Sequence, residues 1–346
     1  MEVVKKNYDN LDLLKFILSI FIVAIHCQLL PRILYPWLRL AIPLFFIVSS
    51  YLLHIKLNNS DKKNEKDIII KYVFRQLKLY LFWFIVLIPV TIFIRDEWFG
   101  QGLVVGTLKF IRSLLFSSTF MASWFISSTI FGTIIIWYIT KRHSNIFALS
   151  FSFVAYVVCC LISSYSFLFN NINFIKDIYK YYCLIFTSPV FSFPVSFVWI
   201  TIGKMFADKN NKKKTMNHRI IYVLLCFSLI FLCIEWIIVY KFTGSYNNDC
   251  YFMLFPCACL IYFLVLSKEI NIAKAKTLRK ISTITYPLHA SLAVIIRYVL
   301  INTNRYSDTV IGVIAFAVVL IACYTICFII FKLEKCKCFK WLKYSH

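Results

Sequence analysis

Charged side chains are scarce in this sequence, and no segment is both long and polar enough to form a soluble domain. Of the 346 residues only 15% are charged, whereas 61% are hydrophobic and 18% aromatic. This composition excludes an ordinary soluble protein and indicates a chain that crosses a membrane several times. Acidic residues are scarcer still, since 15 Asp and Glu stand against 38 Lys and Arg. The basic excess lies in short loops, so we interpret it as a topology signal and expect no nucleic-acid partner.

The sequence also lacks the small-x-small cleavage site of a signal peptide. Asp9 and Asp12 enter the first apolar run, so we expect an uncleaved first helix. The 13 cysteines do not indicate a disulfide framework, because most stand inside apolar runs, where cysteine behaves as a small hydrophobe. Cys336 and Cys338 lie in a polar stretch, but without a second ligand pair they predict no metal site.

Apolar runs long enough to span a bilayer recur about ten times. They predict an all-α fold, a polytopic transmembrane helix bundle of about ten helices in a single domain over 1–346, with 332–346 as a tail. The predicted spans are 11–30, 33–54, 69–94, 123–140, 146–168, 182–203, 220–240, 250–267, 281–301 and 309–331.

The loops between these spans alternate in charge. One set of alternate loops, together with both ends of the chain, holds 24 Lys and Arg, and the other set holds 8. Because basic loops stay in the cytoplasm, both termini and the tail are predicted to be cytoplasmic. The segment 102–117 is amphipathic, with Lys109 and Arg112 on one side, and we expect it to lie along the opposite surface.

The first span carries ionisable residues that are costly inside a membrane unless they are used. Asp12 and Lys15 stand at one end of it and His26 towards the other. At 1.5 Å per residue, Asp12 and His26 are roughly 21 Å apart, near opposite faces of the bilayer. His26 is therefore either a functional group or a core histidine bonded to a neighbouring carbonyl.

Three further ionisable residues, Glu235, Arg297 and Arg39, fall at a similar depth to His26 when each span is measured from its end. This shared depth predicts a polar cavity that opens to the outer side. The two arginines have stems long enough to reach the interface, so snorkelling is the alternative for them.

The third span begins with a one-sided basic ridge. Lys71, Arg75 and Lys78 recur at four and three residues and so project from one face of the helix. Such a ridge suits an anionic ligand with several phosphates, because ammonium and guanidinium groups bind phosphate strongly in a partly dry site. Attraction to anionic lipid headgroups is the alternative.

Several motifs together resemble the bacterial integral-membrane acyltransferases of type three, which O-acylate cell-surface glycans. That family places a histidine fourteen residues after an aspartate, as His26 follows Asp12, and continues with Pro-x-Phe-Phe-x-x-Ser-Gly-Phe-Leu, which resembles residues 43–52. Further similarities, in family order, are Arg75 and Lys78, the pair Trp124-Phe125, and Ile281-Ser282 through Tyr286 and His289. The departures are Lys15 and Lys78 in place of arginine, Ser50 in place of glycine, and a missing arginine before Asp12.

The resemblance implies a ten-helix core in the cell (inner, cytoplasmic) membrane that uses acetyl-CoA or another acyl-CoA from the cytoplasm as co-substrate, with no metal. The acceptor would be a hydroxyl of a glycan or glycolipid of the cell envelope. We assign the catalytic role to His26, as general base or acyl relay, with Glu235 orienting the imidazole. The remaining assignments are Asp12, Lys15, Arg75 and Lys78 for coenzyme A, and Arg39, Ser49, Trp124 and Arg297 for the acceptor.

Two other function classes fit the same residues. A transporter of a small solute or glycan also needs a polar cavity at mid-depth. A helix-bundle scaffold for a cell-envelope complex fits the hydropathy but leaves the polar residues unexplained. For Trp124 and its serine neighbours, and for His289, a role in helix packing is the alternative.

Overall fold

The computed structural model describes residues 8–29, 32–94, 102–169, 171–209, 217–246 and 248–346. Within these ranges the chain forms α-helices, short 3-10 segments and turns, with no strand. The helices are α1 (Asp9–His26), α2 (Tyr35–Leu38), α3 (Ala41–Asn58), α4 (Glu65–Ile94), α5 (Leu103–Phe116), α6 (Trp124–Arg142), α7 (Asn145–Ile162), α8 (Asn173–Phe186), α9 (Phe197–Lys209), α10 (His218–Thr243), α11 (Leu254–Ser267), α12 (Ala275–Asn302) and α13 (Asp308–Leu333). The prediction of an all-α fold is confirmed.

Six helical segments of the described chain are long and apolar enough to cross a membrane, by length and composition. They are Arg32–Asn58, Lys62–Ile92, Asn145–Ile162, His218–Thr243, Ala275–Asn302 and Asp308–Leu333. The prediction of about ten spans is not confirmed by this criterion. Helix α1 carries Asp9, Asp12 and Lys15, and α9 and α11 have 13 and 14 residues, fewer than the about 17 that a span needs.

The predicted span 182–203 is wrong. Residues 173–186 form α8, a separate amphipathic helix, and α9 begins only at Phe197. Thr187 has a left-handed backbone with φ of 65°, and Pro189 and Pro194 follow, so the helix cannot continue through this stretch. The amphipathic segment predicted at 102–117 forms α5, and its Arg112 donates to the Leu184 carbonyl of α8 at 3.2 Å.

The helix ends collect on two opposite faces of the bundle. On the first, Asn10 at the start of α1 donates to the Val265 carbonyl at the end of α11 at 2.7 Å. On the same face, Asp208 of α9 accepts from Asn58 of α3 and Asn145 of α7 at 3.2 and 3.0 Å. We call this first face, with the start of α1 and the ends of α3, α9 and α11, the basic face. The loop lysines 5, 6 and 212–214 and Arg95, which contribute to the topology prediction, lie outside the described residues.

The core is centred on α3 and α9, which approach each other closely. Gly203 of α9 allows this, because a Cβ atom there would lie 2.5 Å from the Ile47 carbonyl oxygen. The Ser50 hydroxyl, at the position where the family has glycine, donates to the Ile200 carbonyl of α9 at 2.6 Å. Small residues and a buried interhelical hydrogen bond are the usual means of holding helices together in lipid.

The tail predicted at 332–346 does not extend away from the bundle. Residues Lys337–Ser345 form a kinked 3-10 segment that returns to α4. Trp83 of α4 donates its indole N–H to the Ser345 carbonyl at 3.1 Å. The segment therefore belongs to the folded domain.

Candidate active site

His26, the last residue of α1, lines a cavity of about 190 Å³ at the end of the bundle opposite the basic face. We call this space the histidine cavity. Its wall is built from the ends of α1, α3 and α6, from α9, and from the segment before α11. Its polar and aromatic side chains are His26, Arg39, Ser118, Trp124, Tyr156, Trp199, Asp249 and Tyr286.

An ion pair fixes one side of the histidine cavity. Arg39, at the C-terminal end of α2, contacts the Asp249 carboxylate, and the two side chains are only 13% and 17% exposed. A buried guanidinium needs a counter-charge to offset its desolvation, and Asp249 supplies it. Arg39 is thereby held beside His26 instead of extending to the interface.

The His26 imidazole packs on a second, fully buried imidazole. The rings of His26 and His289 are 4.8 Å apart between centroids and meet edge to face at 69°. His289 Nδ1 lies 3.2 Å from the Thr285 carbonyl oxygen, so Nδ1 carries the proton and donates it to that carbonyl. Burial and this bond hold His289 in place, and its ring restricts the rotation of His26.

A larger cavity of about 860 Å³ enters the bundle from the basic face. We call it the basic cavity. Eight lysines and arginines line it, and among the described residues no Asp or Glu does. They are Lys15, Lys56, Lys71, Arg75, Lys78, Arg279, Lys280 and Lys343. The predicted ridge of α4 and the predicted Lys15 of α1 thus line one cavity, and α12 adds two cations to its lining.

Some of these cations have acidic partners, and among the described residues these partners do not line the basic cavity. The Asp12 carboxylate is 3.7 Å from Arg279 Nη1 and is 8% exposed, so it holds Arg279 in place but does not line the cavity. Lys280 Nζ is 2.9 Å from Glu334 Oε1, and His346 Nε2 is 3.4 Å from the other oxygen. Burial, together with the nearby Lys280, lowers the pKa of the His346 imidazole, whereas Glu334 opposes this shift.

A layer of three aromatic rings borders both cavities. The rings of Phe45, Phe125 and Tyr286 contact one another at centroid distances of 5.0 to 6.0 Å. Phe45 and Phe125 line the basic cavity, whereas Tyr286 lines both cavities. The Tyr286 hydroxyl donates to the Ala122 carbonyl at 3.0 Å, and Ala122 has a left-handed φ of 68°. This bond holds the Tyr286 ring at the border of the two cavities.

The other predicted site residues lie elsewhere. Glu235 lines neither cavity, because its carboxylate accepts from the Tyr165 hydroxyl and from the backbone N–H groups of Phe252 and Met253. The structure therefore does not bring Glu235 to His26. Arg297 donates to the Cys27 carbonyl at 2.9 Å and so caps the end of α1. Ser49 lines the basic cavity and not the histidine cavity.

Asp249 and Tyr286 were not among the predicted site residues. Asp249 stands in a polar stretch between two predicted spans, where an acidic residue carries no topology signal. The sequence feature that could have pointed to Asp249 is an acidic residue beside an apolar run, which needs a cationic partner. Tyr286 belongs to the late motif of the resemblance, but its position between two cavities depends on tertiary packing.

The lining of the basic cavity fits a polyanionic ligand. Ammonium and guanidinium groups from α1, α3, α4, α12 and the 3-10 segment Lys337–Ser345 converge on one space, and their mutual repulsion is relieved when phosphates enter. Its volume lies in the range of about 300 to 1,000 Å³ that is typical of small-molecule sites. In the described part of the chain, no group of three or more His, Cys, Asp or Glu side chains could hold a metal ion.

A family profile described as an acyltransferase domain matches residues 8–332. The chain belongs to this acyltransferase family. The match covers α1 to α13 almost completely, so it includes every residue that lines the histidine cavity and most of those that line the basic cavity. Membership together with the six apolar helical segments makes the protein a multi-pass membrane protein.

Two proteins with similar sequences are named as racemases. A protein named "Amino-acid racemase" from Enterococcus faecalis is 24% identical over 307 residues, which is 84% of this chain and 42% of that protein. A "Serine/alanine racemase" from Enterococcus gallinarum is 25% identical over 138 residues, 37% of this chain and 19% of that protein. The chain thus spans less than half the length of these relatives. No solved structure matches it.

Proposed function

We propose that this protein transfers an acyl group, in the simplest case acetyl, from a coenzyme A thioester to a hydroxyl of an envelope or exported glycan or glycolipid. The observation that carries the proposal is the juxtaposition of the two cavities. A space walled by eight basic side chains lies across one aromatic layer from a space that contains His26.

The donor would bind in the basic cavity. Its phosphates are suited to Lys15, Arg75, Lys78 and Arg279, with Asp12 holding Arg279 in position. The thioester arm would point towards the aromatic layer, since Phe45, Phe125 and Tyr286 line that cavity and Tyr286 also lines the histidine cavity. The basic face would be cytoplasmic, in the inner membrane, where coenzyme A is available.

The acceptor would enter the histidine cavity. His26 would take the proton of the acceptor hydroxyl as that oxygen attacks the thioester carbonyl carbon. The new C–O bond forms, the C–S bond breaks, and the coenzyme A thiolate receives the proton from the imidazolium. Arg39 and Trp124, which share this cavity, would position the sugar, Arg39 by hydrogen bonds and Trp124 by stacking.

A carrier is the second candidate function. Cavities on both sides of a thin layer are also what alternating access requires, and two similar proteins are named as racemases of amino acids. An amino acid that crosses the bundle would use the Arg39–Asp249 pair for its carboxylate and amine.

The two candidates are separated by one experiment on the purified full chain in lipid nanodiscs and in proteoliposomes. Nanodiscs receive acetyl-CoA labelled in the acetyl group and an envelope glycan fraction, and proteoliposomes receive labelled serine or alanine. Label in the glycan supports the transferase. Amino-acid flux without acetyl transfer would replace it with the carrier.

A further inference from the structure

The segment Lys337–Ser345 follows α13 and is fixed to the bundle at several points. Trp83 and Ser345, joined by the indole hydrogen bond of 3.1 Å, are 1% and 0% exposed. Leu342 is buried in the cluster that includes Trp83 and Ile330, and the Trp341 ring lies 5.5 Å from the Phe82 ring. Because apolar burial and a buried hydrogen bond both hold it, the segment has a defined position.

This position places two side chains on the wall of the basic cavity. Lys343 and Tyr344 line it together with the α4 ridge. Lys78 Nζ lies 5.4 Å from the centre of the Tyr344 ring, and Lys343 Nζ lies 5.1 Å from it. Two ammonium groups are therefore held around one aromatic ring, and no acidic side chain of the described residues shares this cavity.

The segment lies outside the part of the chain that matches the family. The match ends at residue 332, whereas the two lining side chains stand at 343 and 344. The family domain alone therefore does not supply the complete wall of the basic cavity in this protein.

We propose that Lys337–Ser345 completes the donor site, with Lys343 binding a phosphate and Tyr344 stacking on the base of a nucleotide-containing donor. The inference rests on the proposed function, which places the donor in the basic cavity. An ammonium pair around a phenol ring offers both chemistries that the nucleotide end of coenzyme A needs, charge for the phosphates and an aromatic face for the adenine.

The test measures binding of free coenzyme A to the full chain in nanodiscs of neutral phosphatidylcholine by calorimetry. Lys343→Glu and Tyr344→Ala are compared with Lys340→Glu, which makes the same charge change in the same segment at an exposed residue that does not line the cavity. Pantetheine, which has neither phosphates nor base, serves as a second ligand. The melting temperature of each variant shows whether the segment remains folded.

We expect Lys343→Glu and Tyr344→Ala each to weaken coenzyme A binding by about tenfold or more, with pantetheine binding unchanged. Lys340→Glu should bind coenzyme A within about twofold of the original chain. If Lys343→Glu and Lys340→Glu bind equally well, the segment is not part of the donor site, although the proposed function stands. If the unaltered chain does not bind coenzyme A at all, the proposed donor is wrong.

Anionic lipid headgroups offer the same phosphate chemistry as the donor. A parallel titration therefore uses nanodiscs that contain phosphatidylserine. Coenzyme A affinity that depends on Lys343 in neutral nanodiscs supports the donor site. If Lys343→Glu changes only the affinity for phosphatidylserine, the segment binds lipid and the inference is overturned.

Discussion

His26 and His54 offer a direct comparison between a histidine in a cavity and a histidine in the core. His26 lines the histidine cavity, whereas His54 is 3% exposed and its Nδ1 donates to the Ser50 carbonyl at 2.8 Å. The sequence left both readings open for His26, since either kind of histidine can stand in an apolar run. The cavity favours the functional one.

His26→Ala is therefore expected to lower acyl transfer by about a hundredfold or more per folded molecule, because a general base contributes about 10² to 10⁴ in rate. Coenzyme A binding should remain, since His26 does not line the basic cavity. His54→Ala, as the control, should lower the yield of folded protein and leave the activity of the remainder unchanged. Equal behaviour of the two variants would make His26 a core residue.

Glu235 is expected to affect stability more than rate. Its carboxylate accepts three hydrogen bonds that join α10 to Tyr165 and to the start of α11, and Gln can accept fewer of them. Glu235→Gln should cost about 1.5 to 3 kcal/mol of stability, seen as a lower melting temperature in nanodiscs.

The double variant with His26→Ala measures whether the two residues act together. Its transfer rate should equal that of His26→Ala alone, and its melting temperature should equal that of Glu235→Gln alone. A large rate loss in Glu235→Gln itself, at an unchanged melting temperature, would restore the pairing that the sequence analysis predicted.

Arg75 tests the donor ridge of α4. Arg75→Ala should weaken coenzyme A binding by about 1.5 to 3 kcal/mol, because it removes a charge-assisted phosphate contact. Arg142→Ala is the control, since Arg142 is exposed at the end of α6 and does not line the basic cavity. Binding that is the same in both variants would favour the lipid-headgroup alternative for the ridge.

At the scale of the helices, Gly203 of α9 and Gly132 of α6 differ in the kind of atom that an added Cβ would meet. A Cβ at Gly203 would lie 2.5 Å from the Ile47 carbonyl oxygen and 3.0 Å from the Tyr51 nitrogen, and these backbone atoms cannot move aside. A Cβ at Gly132 would meet the Ile200 Cδ1 and Ser196 Oγ atoms, which belong to side chains and can rotate.

Gly203→Ala is accordingly expected to destabilise the protein by about 1 to 3 kcal/mol or more, the usual cost of overpacking, and to shift α9 away from α3. Gly132→Ala should lower the melting temperature less. Thermal unfolding of both variants in the same lipid measures the difference. Equal losses would mean that the α3–α9 contact adjusts as easily as a side-chain contact.

The sequence predicts most helices well but places one of them wrongly. Alternating charge and apolar runs locate α10, α12 and α13, because these helices are long and each has a strongly basic segment at one end. The stretch 182–203 misleads because its apolar side chains continue through a break at Thr187. Hydropathy measures side chains and is insensitive to a left-handed backbone, so one predicted span became α8 and α9.

The site shows the same division between pattern and packing. Depth along the helices brings His26 and Arg39 to one level, and the structure places both in the histidine cavity. The depth of a residue along a helix does not show which side of the helix it faces. Depth therefore also grouped Glu235 with His26, although Glu235 faces Tyr165. Helical spacing does fix rotation, which is why Lys71, Arg75 and Lys78 could be placed together on one face.

At the scale of the whole molecule, the two faces of the bundle should correspond to the two sides of the membrane. The charge asymmetry of the loops predicts that the basic face, with both termini, is cytoplasmic. Single cysteines at Lys63, between α3 and α4, and at Arg305, between α12 and α13, test this in a background whose native cysteines are replaced by alanine.

A membrane-impermeant thiol reagent added to intact cells should label position 305 and leave position 63 unlabelled until the cells are opened. Both residues are exposed in connections between helices, so each is accessible to the reagent within the protein. Labelling of position 63 from outside would invert the topology, and would place the basic cavity away from cytoplasmic coenzyme A.

The aromatic layer of Phe45, Phe125 and Tyr286 also has an electrical consequence. If water fills the two cavities from opposite sides of the membrane, the insulating path is shortened and the voltage falls mainly across the layer between them. A full crossing is worth about 2.3 kcal/mol per elementary charge at 100 mV. A proton that leaves His26 towards the histidine cavity stays on one side of this voltage drop, whereas a proton that follows the coenzyme A thiolate into the basic cavity crosses nearly all of it. In the proposed mechanism the imidazolium passes its proton to the thiolate, so the cell's electrical gradient would act on acyl transfer.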